Sequence, residues 1–121
     1  MKLAPLLPLV LLVSACGGSG AAVDPAAVER GARLFHSCAA CHSLGADHRV
    51  GPGLRGVLGR KAGTAPGFAY SEALANAGFV WDEERLVAFL SQENYLPGAN
   101  MVVTPLSPED ARDVVAYMTG N

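Results

Sequence analysis

The chain has 121 residues, with nine lysines and arginines, eleven aspartates and glutamates, and a formal net charge of −2 at pH 7. This length allows one small domain. The slightly acidic balance disfavours nucleic-acid binding, because the basic surface that phosphates attract is missing.

The N-terminus has the pattern of an export signal. One lysine precedes an apolar run over residues 3–13, which small residues follow, so we predict a signal peptide over residues 1–15. The run is shorter than the roughly 20 residues of a membrane-spanning helix, and Pro5 and Pro8 interrupt it. Export is therefore the expected role, and a permanent membrane span is not.

Cys16 follows this signal in the sequence Val-Ser-Ala-Cys, which resembles a bacterial lipobox. We expect Cys16 to be lipidated and residues 16–23, rich in Gly and Ala, to form a flexible linker. The alternative is an ordinary cleaved signal with an incidental cysteine. From Cys16 onward eight cations oppose eleven acids, a formal charge of −3. The expected location is the periplasmic side of a bacterial membrane, lipid-anchored, or the soluble periplasm if Cys16 is not lipidated.

The domain proper is expected over residues 24–121. Asp24-Pro25 has the pattern of an N-cap followed by proline at the first helical position, and apolar residues recur at helical spacing after it. We predict a first helix from Pro25 to about Ser37.

Residues 38–42 read Cys-Ala-Ala-Cys-His. Two thiols at this spacing on a tight turn can bond to the two vinyl groups of one haem as thioethers, and His42 can then bind the iron. Zinc ribbons and thiol redox sites also contain the Cys-x-x-Cys spacing, so a colourless zinc or thiol module is an alternative at this point.

The rest of the chain predicts short helices between long loops. Residues 45–67 are dense in Gly and Pro, so we predict a loop there. A loop this long in a small domain normally needs another surface to pack against. Short helices are expected over 71–77 and 82–90, and a last helix begins at Ser107-Pro108. With no strand-like alternation, the predicted fold is all-α around a large cofactor.

A haem iron held by His42 has a second axial position to fill. His36 is too near Cys38 to reach the opposite face, His48 is expected to be a solvated loop residue, and Met118 is expected to pack in the last helix. Met101 follows a Pro-Gly loop and presents a soft thioether. Its position alone leaves open whether it is a ligand or an apolar plug.

Several motifs together resemble the class I cytochromes c, in particular the mitochondrial proteins and their small bacterial relatives. The resemblance covers residues 26–119. The motifs are the Cys-x-x-Cys-His run at 38–42, Gly51-Pro52-Gly53-Leu54, the runs at 59–63 and 65–71, Trp81, and the run at 96–101.

The resemblance implies the cytochrome c fold, with a few short helices and long loops wrapped around one haem c. Cys38 and Cys41 match its thioether attachments, and His42 and Met101 match its axial iron ligands. The carbonyl of Pro52 should accept a hydrogen bond from the outer ring nitrogen of His42. The expected partners of the haem propionates are Arg60, Tyr70 and Trp81. Gly31, Phe35 and Tyr117 match the crossing of the first and last helices.

Two departures from the mitochondrial pattern stand out. Leu74, Phe89 and Ala99 replace three hydrogen-bonding residues beside the methionine, so we expect no ordered water there. Lys61 is the one lysine after the signal segment, so electrostatic steering should be weak, and tethering near the partners could replace it.

The implied function is that of a monohaem electron carrier, not an enzyme, and of a monomer that binds no nucleic acid. By the same resemblance, the expected donor is a cytochrome bc-type complex, and the acceptor is a terminal oxidase or a photosynthetic reaction centre. The alternative is a small haem peroxidase or ligand sensor in which Met101 is displaceable.

Overall fold

A computed structural model describes residue 1 and residues 22–120, so the predicted signal peptide, Cys16 and most of the linker lie outside the described residues. The elements are α1 (Pro25–Phe35), a 3-10 turn (Cys38–Ala40), α2 (Glu72–Ala75), α3 (Glu83–Ser91) and α4 (Pro108–Thr119). The described part contains an isolated antiparallel bridge between Lys61 and Val80, but no strand. The predicted all-α class is thus confirmed.

Local hydrogen bonds fix where each helix begins. Asp24 accepts from the amide of Ala26 at 3.0 Å, and Asp82 accepts from that of Arg85 at 2.7 Å. Serines cap the other two helices: Ser71 caps α2 and Ser107 caps α4. Since these side chains satisfy amides that have no partner within the helix, they explain why the starts could be read from the sequence.

Two helices are shorter than predicted. The first ends at Phe35 rather than near Ser37, because the chain turns at once into the 3-10 turn at Cys38. The helix predicted over 71–77 covers Glu72–Ala75. Gly78 then adopts a φ of 74°, a left-handed conformation that does not continue a helix.

Helices α1 and α4 cross in close contact. A Cβ atom at Gly31 would lie 1.9 Å from the carbonyl oxygen of Asp113, so only glycine permits this approach. The rings of Phe35 and Tyr117 lie 5.4 Å apart. The predicted helix crossing is confirmed.

The hydrophobic core is small and lies between α1, α3 and α4. Leu86 and Leu90 of α3 join Val114 and Val115 of α4 in one buried cluster, which also includes Trp81. No helix within residues 22–120 has the length and apolar character to cross a membrane. The remaining chain, chiefly residues 43–71 and 92–107, forms the loops that carry the candidate site.

Candidate haem-binding site

The two cysteines of the 38–42 run lie on one tight turn. The amide of Cys41 donates to the carbonyl of Cys38 at 3.1 Å, and the amide of His42 donates to the same carbonyl at 3.0 Å. Both thiols are free, with Cys38 half-buried and Cys41 exposed. The turn therefore presents two unpaired thiols beside a histidine, as attachment of a haem requires.

His42 is buried, with 8% of its surface exposed, and its orientation is fixed. Its Nδ1 lies 2.8 Å from the carbonyl oxygen of Pro52. Because a carbonyl can only accept, Nδ1 carries the proton and donates it, which leaves Nε2 unprotonated and able to bind a metal. This is the contact that the resemblance predicted for Pro52.

Gly51 lets the loop approach the imidazole. A Cβ atom at this position would lie 2.4 Å from Cε1 of the His42 ring. The amide of Gly51 also donates to the carbonyl of Cys41 at 2.8 Å. The loop that presents Pro52 is therefore attached to the cysteine turn and packed directly against the ring.

Met101 lines an open cavity of about 630 Å³, a volume in the range of ligand pockets. Phe89, Tyr95 and Ala99 line the same cavity, and Met101 is 36% exposed. The loop before it turns at Gly98, with a φ of 83°. Two of the three predicted departures, Phe89 and Ala99, thus line the cavity of Met101. Leu74 does not line it and packs, like Phe89, against the core cluster.

Arg60, the first of the expected propionate partners, is held by backbone carbonyls. Its guanidinium donates to the carbonyl of Arg55 at 3.0 Å and to that of Gly53 at 3.2 Å. It forms none of the ion pairs found among residues 22–120. Its charge therefore remains available to an anionic group.

Tyr70 and Trp81 also keep a donor free. The hydroxyl of Tyr70 accepts from the amide of Ala65 at 3.1 Å, so its own proton can go to another acceptor. Trp81 is 7% exposed, packed between Phe79 and Phe89 with ring centroids 4.9 and 5.2 Å away. No group in the described part of the chain accepts from its indole N–H. Both residues fit the role of donors to a bound carboxylate.

His48 lies in a loop, as predicted, but its ring is not simply solvated. His48 is half-buried and joins two loops: its Nδ1 accepts from the amide of Gly53 at 3.0 Å, and its Nε2 donates to the carbonyl of Pro66 at 2.7 Å. Both partners are backbone groups in turns, so no pattern of residue types in the sequence could predict these two bonds. Met118, by contrast, packs against the core as predicted.

These groups fit a haem c. Two free thiols lie beside an imidazole with an available Nε2. The thioether of Met101 lines a cavity formed by residues of the 89–105 segment, which does not include the thiols or the imidazole. Arg60, Tyr70 and Trp81 are three donors that pair with no anion among the described residues. This donor set suits an iron porphyrin with two carboxylates.

Comparison with known proteins agrees with this geometry. The Cytochrome c family model matches residues 28–121. Cytochrome c of Sesamum indicum is 39% identical over 99 residues, covering 78% of this chain and 89% of that protein. Cytochrome c2 of Rhodoblastus acidophilus is 43% identical over 95 residues, covering 75% and 89%.

A solved structure gives the same result. Cytochrome cH from Methylobacterium extorquens superposes with a TM-score of 0.72 at 37% identity, covering 78% of this chain and 98% of that one. The chain belongs to the cytochrome c family: it has the cytochrome c fold, binds haem c covalently, and is an electron carrier rather than an enzyme.

Proposed function

We propose that this protein is a one-electron carrier whose haem iron is bound by His42 and Met101. The bound haem supplies the Fe(II)/Fe(III) couple. The observation that carries the proposal is the bond from Nδ1 of His42 to Pro52 at 2.8 Å, because it leaves Nε2 as the free ligand. Met101, at the cavity of the 92–105 loop, is the soft ligand proposed for the other face.

The chain's own residues would hold the cofactor and set its properties. Cys38 and Cys41 form the thioether bonds, and the Pro52 carbonyl raises the basicity of the imidazole. Arg60, Tyr70 and Trp81 hold the propionates with charge and hydrogen bonds. The solvent exposure of Cys41 leaves the attached side of the cofactor near the surface, where electrons can enter and leave.

A second candidate is a peroxidase or ligand sensor in which Met101 leaves the iron. The position of Met101 on a loop outside the helices favours this candidate, because a loop can move away from the iron without disrupting a helix. The visible spectrum of the freshly purified oxidised protein distinguishes the two. A sulfur-to-iron charge-transfer band supports the carrier with bound Met101, and its absence supports the sensor.

We further propose that the protein works at the periplasmic side of a bacterial membrane. Residues 1–15 would be removed as a signal peptide, Cys16 would carry a lipid, residues 16–23 would act as tether, and residues 24–121 would form the domain. A lipid would hold the domain close to membrane-bound partners, which raises their effective concentration.

The proposed donor is a cytochrome bc-type complex, and the proposed acceptor is a terminal oxidase or a photosynthetic reaction centre. Mass spectrometry of the protein purified from membranes tests the tether, since it reports signal cleavage, acylation and haem mass together. An unmodified N-terminus upstream of Cys16 would contradict lipidation. Reduction of the pure protein by a purified bc-type complex, followed optically, tests the donor.

A further inference from the structure

Arg49 makes a contact that neither the fold nor the proposed ligands require. Its Nη1 donates to the carbonyl oxygen of Ala39 at 2.6 Å, and Ala39 stands between the two haem-binding cysteines. The residue is exposed and forms no ion pair within residues 22–120. An exposed arginine usually leaves its guanidinium in water, so this bond to the cysteine turn is a specific one.

The backbone of Arg49 belongs to the loop that supports His42. Its amide donates to the carbonyl of Gly51 at 2.9 Å, while the amide of Gly51 donates to that of Cys41 at 2.8 Å. The next residue, Pro52, accepts the hydrogen bond of His42. Besides the bond between His42 and Pro52, the cysteine turn and the Pro52 loop are thus joined twice, once by backbone at Gly51 and once by the Arg49 side chain. Just beyond them, the amide of Leu54 donates to the carbonyl of Ser43 at 2.9 Å.

These two attachments leave the loop little room to move. The loop lies so near the imidazole that a Cβ on Gly51 would meet the ring at 2.4 Å. A shift of the loop away from the cysteine turn would therefore lengthen the bond between Pro52 and His42, the neighbouring contact. Of the two attachments, the Arg49 side chain is the one that substitution can remove without changing the backbone.

We infer that Arg49 is a positioning residue that holds the Pro52 carbonyl on the His42 imidazole and thereby lowers the reduction potential of the iron. A strong bond to Pro52 makes the imidazole more basic, which favours the oxidised iron. The inference rests on the proposed role of His42 as an iron ligand.

The direction in which the reduction potential shifts on substitution distinguishes a positioning role of Arg49 from an effect of its charge alone. Removing a cation near the iron favours the more positive, oxidised state and lowers the potential. Loosening the hydrogen bond to Pro52 makes the imidazole a weaker ligand and raises the reduction potential. Arg55 is the matched control, because it is exposed in the same loop and its side chain makes no hydrogen bond or ion pair to the described residues.

The experiment uses the haem-loaded protein and its Arg49→Gln, Arg49→Lys and Arg55→Gln variants. Redox titration should give a higher potential for Arg49→Gln and an unchanged or lower one for Arg55→Gln. Proton NMR should show the His42 Nδ1–H exchanging with solvent about fivefold faster in Arg49→Gln, the factor that loss of one typical hydrogen bond produces. Arg49→Lys, which keeps the charge and one donor, should lie between that variant and the parent.

A downward shift in Arg49→Gln equal to that of Arg55→Gln, with unchanged Nδ1–H exchange, would show that Arg49 acts only as a charge. If Arg49→Gln retains no haem, Arg49→Lys carries the test: a raised potential with faster exchange supports the inference, and parent-like values overturn it. Failure of the proposed ligand is distinct, because imidazole resonances shifted by the iron would then be missing from every variant, the parent included.

Discussion

Arg30 and Asp113 join the first and last helices by two parallel hydrogen bonds, 2.7 Å from Nε to Oδ2 and 3.1 Å from Nη2 to Oδ1. The hydrogen bond from Arg30 holds the pKa of the Asp113 carboxyl below its usual range, and the same bond raises the pKa of Arg30. The ion pair stabilises the crossing of α1 and α4, whose close approach Gly31 permits.

This pair predicts a specific loss of stability in acid. Because the pKa of Asp113 is lower in the folded protein than in the unfolded chain, its contribution is complete above the unfolded value, near 4, and is lost as pH falls through the folded value. Asp113→Asn should lower stability at neutral pH and flatten the acid side of the stability profile. Urea midpoints measured from pH 7 to pH 3 check this.

Glu84→Gln is the control for that experiment, since Glu84 is an exposed acid in the first turn of α3 and does not interact with Arg30. It should leave the shape of the profile nearly as in the parent. Parallel profiles for Asp113→Asn and the parent would contradict a linked contribution from this carboxyl.

Gly31→Ala should be among the most damaging single changes in the helices. The added Cβ would lie 1.9 Å from a backbone carbonyl of α4, so the two helices must move apart. Overpacking of this kind typically costs 1–3 kcal/mol, and we expect about 3 kcal/mol by denaturant unfolding. Gly45→Ala is the matched control, because its nearest neighbours would lie 3.8 to 4.0 Å away. Equal stabilities for the two variants would contradict the close approach.

His48→Gln should loosen the two loops that this side chain joins. The bond with Gly53 and the bond with Pro66 both depend on the imidazole, and loss of one or both costs about 1–2 kcal/mol at typical values. His36→Gln, a change at an exposed histidine at the end of α1, should cost almost nothing. Hydrogen exchange at the Gly53 amide gives the local measurement, and unchanged protection in His48→Gln would rule out the bridge.

These examples show what the sequence could and could not predict. The helix starts were predictable because Asp24, Asp82 and Ser107 act on amides two or three residues away. The His42 and Pro52 contact followed from a family motif. By contrast, Arg30 meets Asp113 83 residues later, and His48 and Arg49 bond to backbone carbonyls of distant turns. Backbone carbonyls carry no residue identity, so such contacts appear only once the fold is known.

The positions that depart from the mitochondrial pattern predict that one ordered water beside Met101 is missing. Phe89 and Ala99 line its cavity, which polar side chains such as Tyr95 and Asn100 also line, but they offer no hydrogen bond at the two positions where that pattern has hydrogen-bonding side chains, and a buried water needs two to four polar partners. A high-resolution structure of the haem-loaded protein should show no ordered water bonded to protein beside Met101. The variant Phe89→Tyr with Ala99→Thr should gain one, and a well-ordered water in the parent would contradict the prediction.

The last prediction concerns how partners are found. Cations near the haem edge steer a carrier to acidic partners, and that attraction weakens with salt because exposed charges are screened over about 10 Å at 0.1 M. After the signal segment this chain has one lysine and seven arginines against eleven acids, a formal charge of −3, and a lipid at Cys16 would raise local concentration without any charge. Electron transfer to the native membrane partner should therefore depend only weakly on salt.

Stopped-flow rates of electron transfer with native membranes, measured between low and moderate salt, test this, with Cys16→Ser as the untethered control. The control should lose rate at every salt concentration, because proximity is removed. If the electron-transfer rate of the parent protein falls steeply with salt, surface charge rather than the tether brings the partners together.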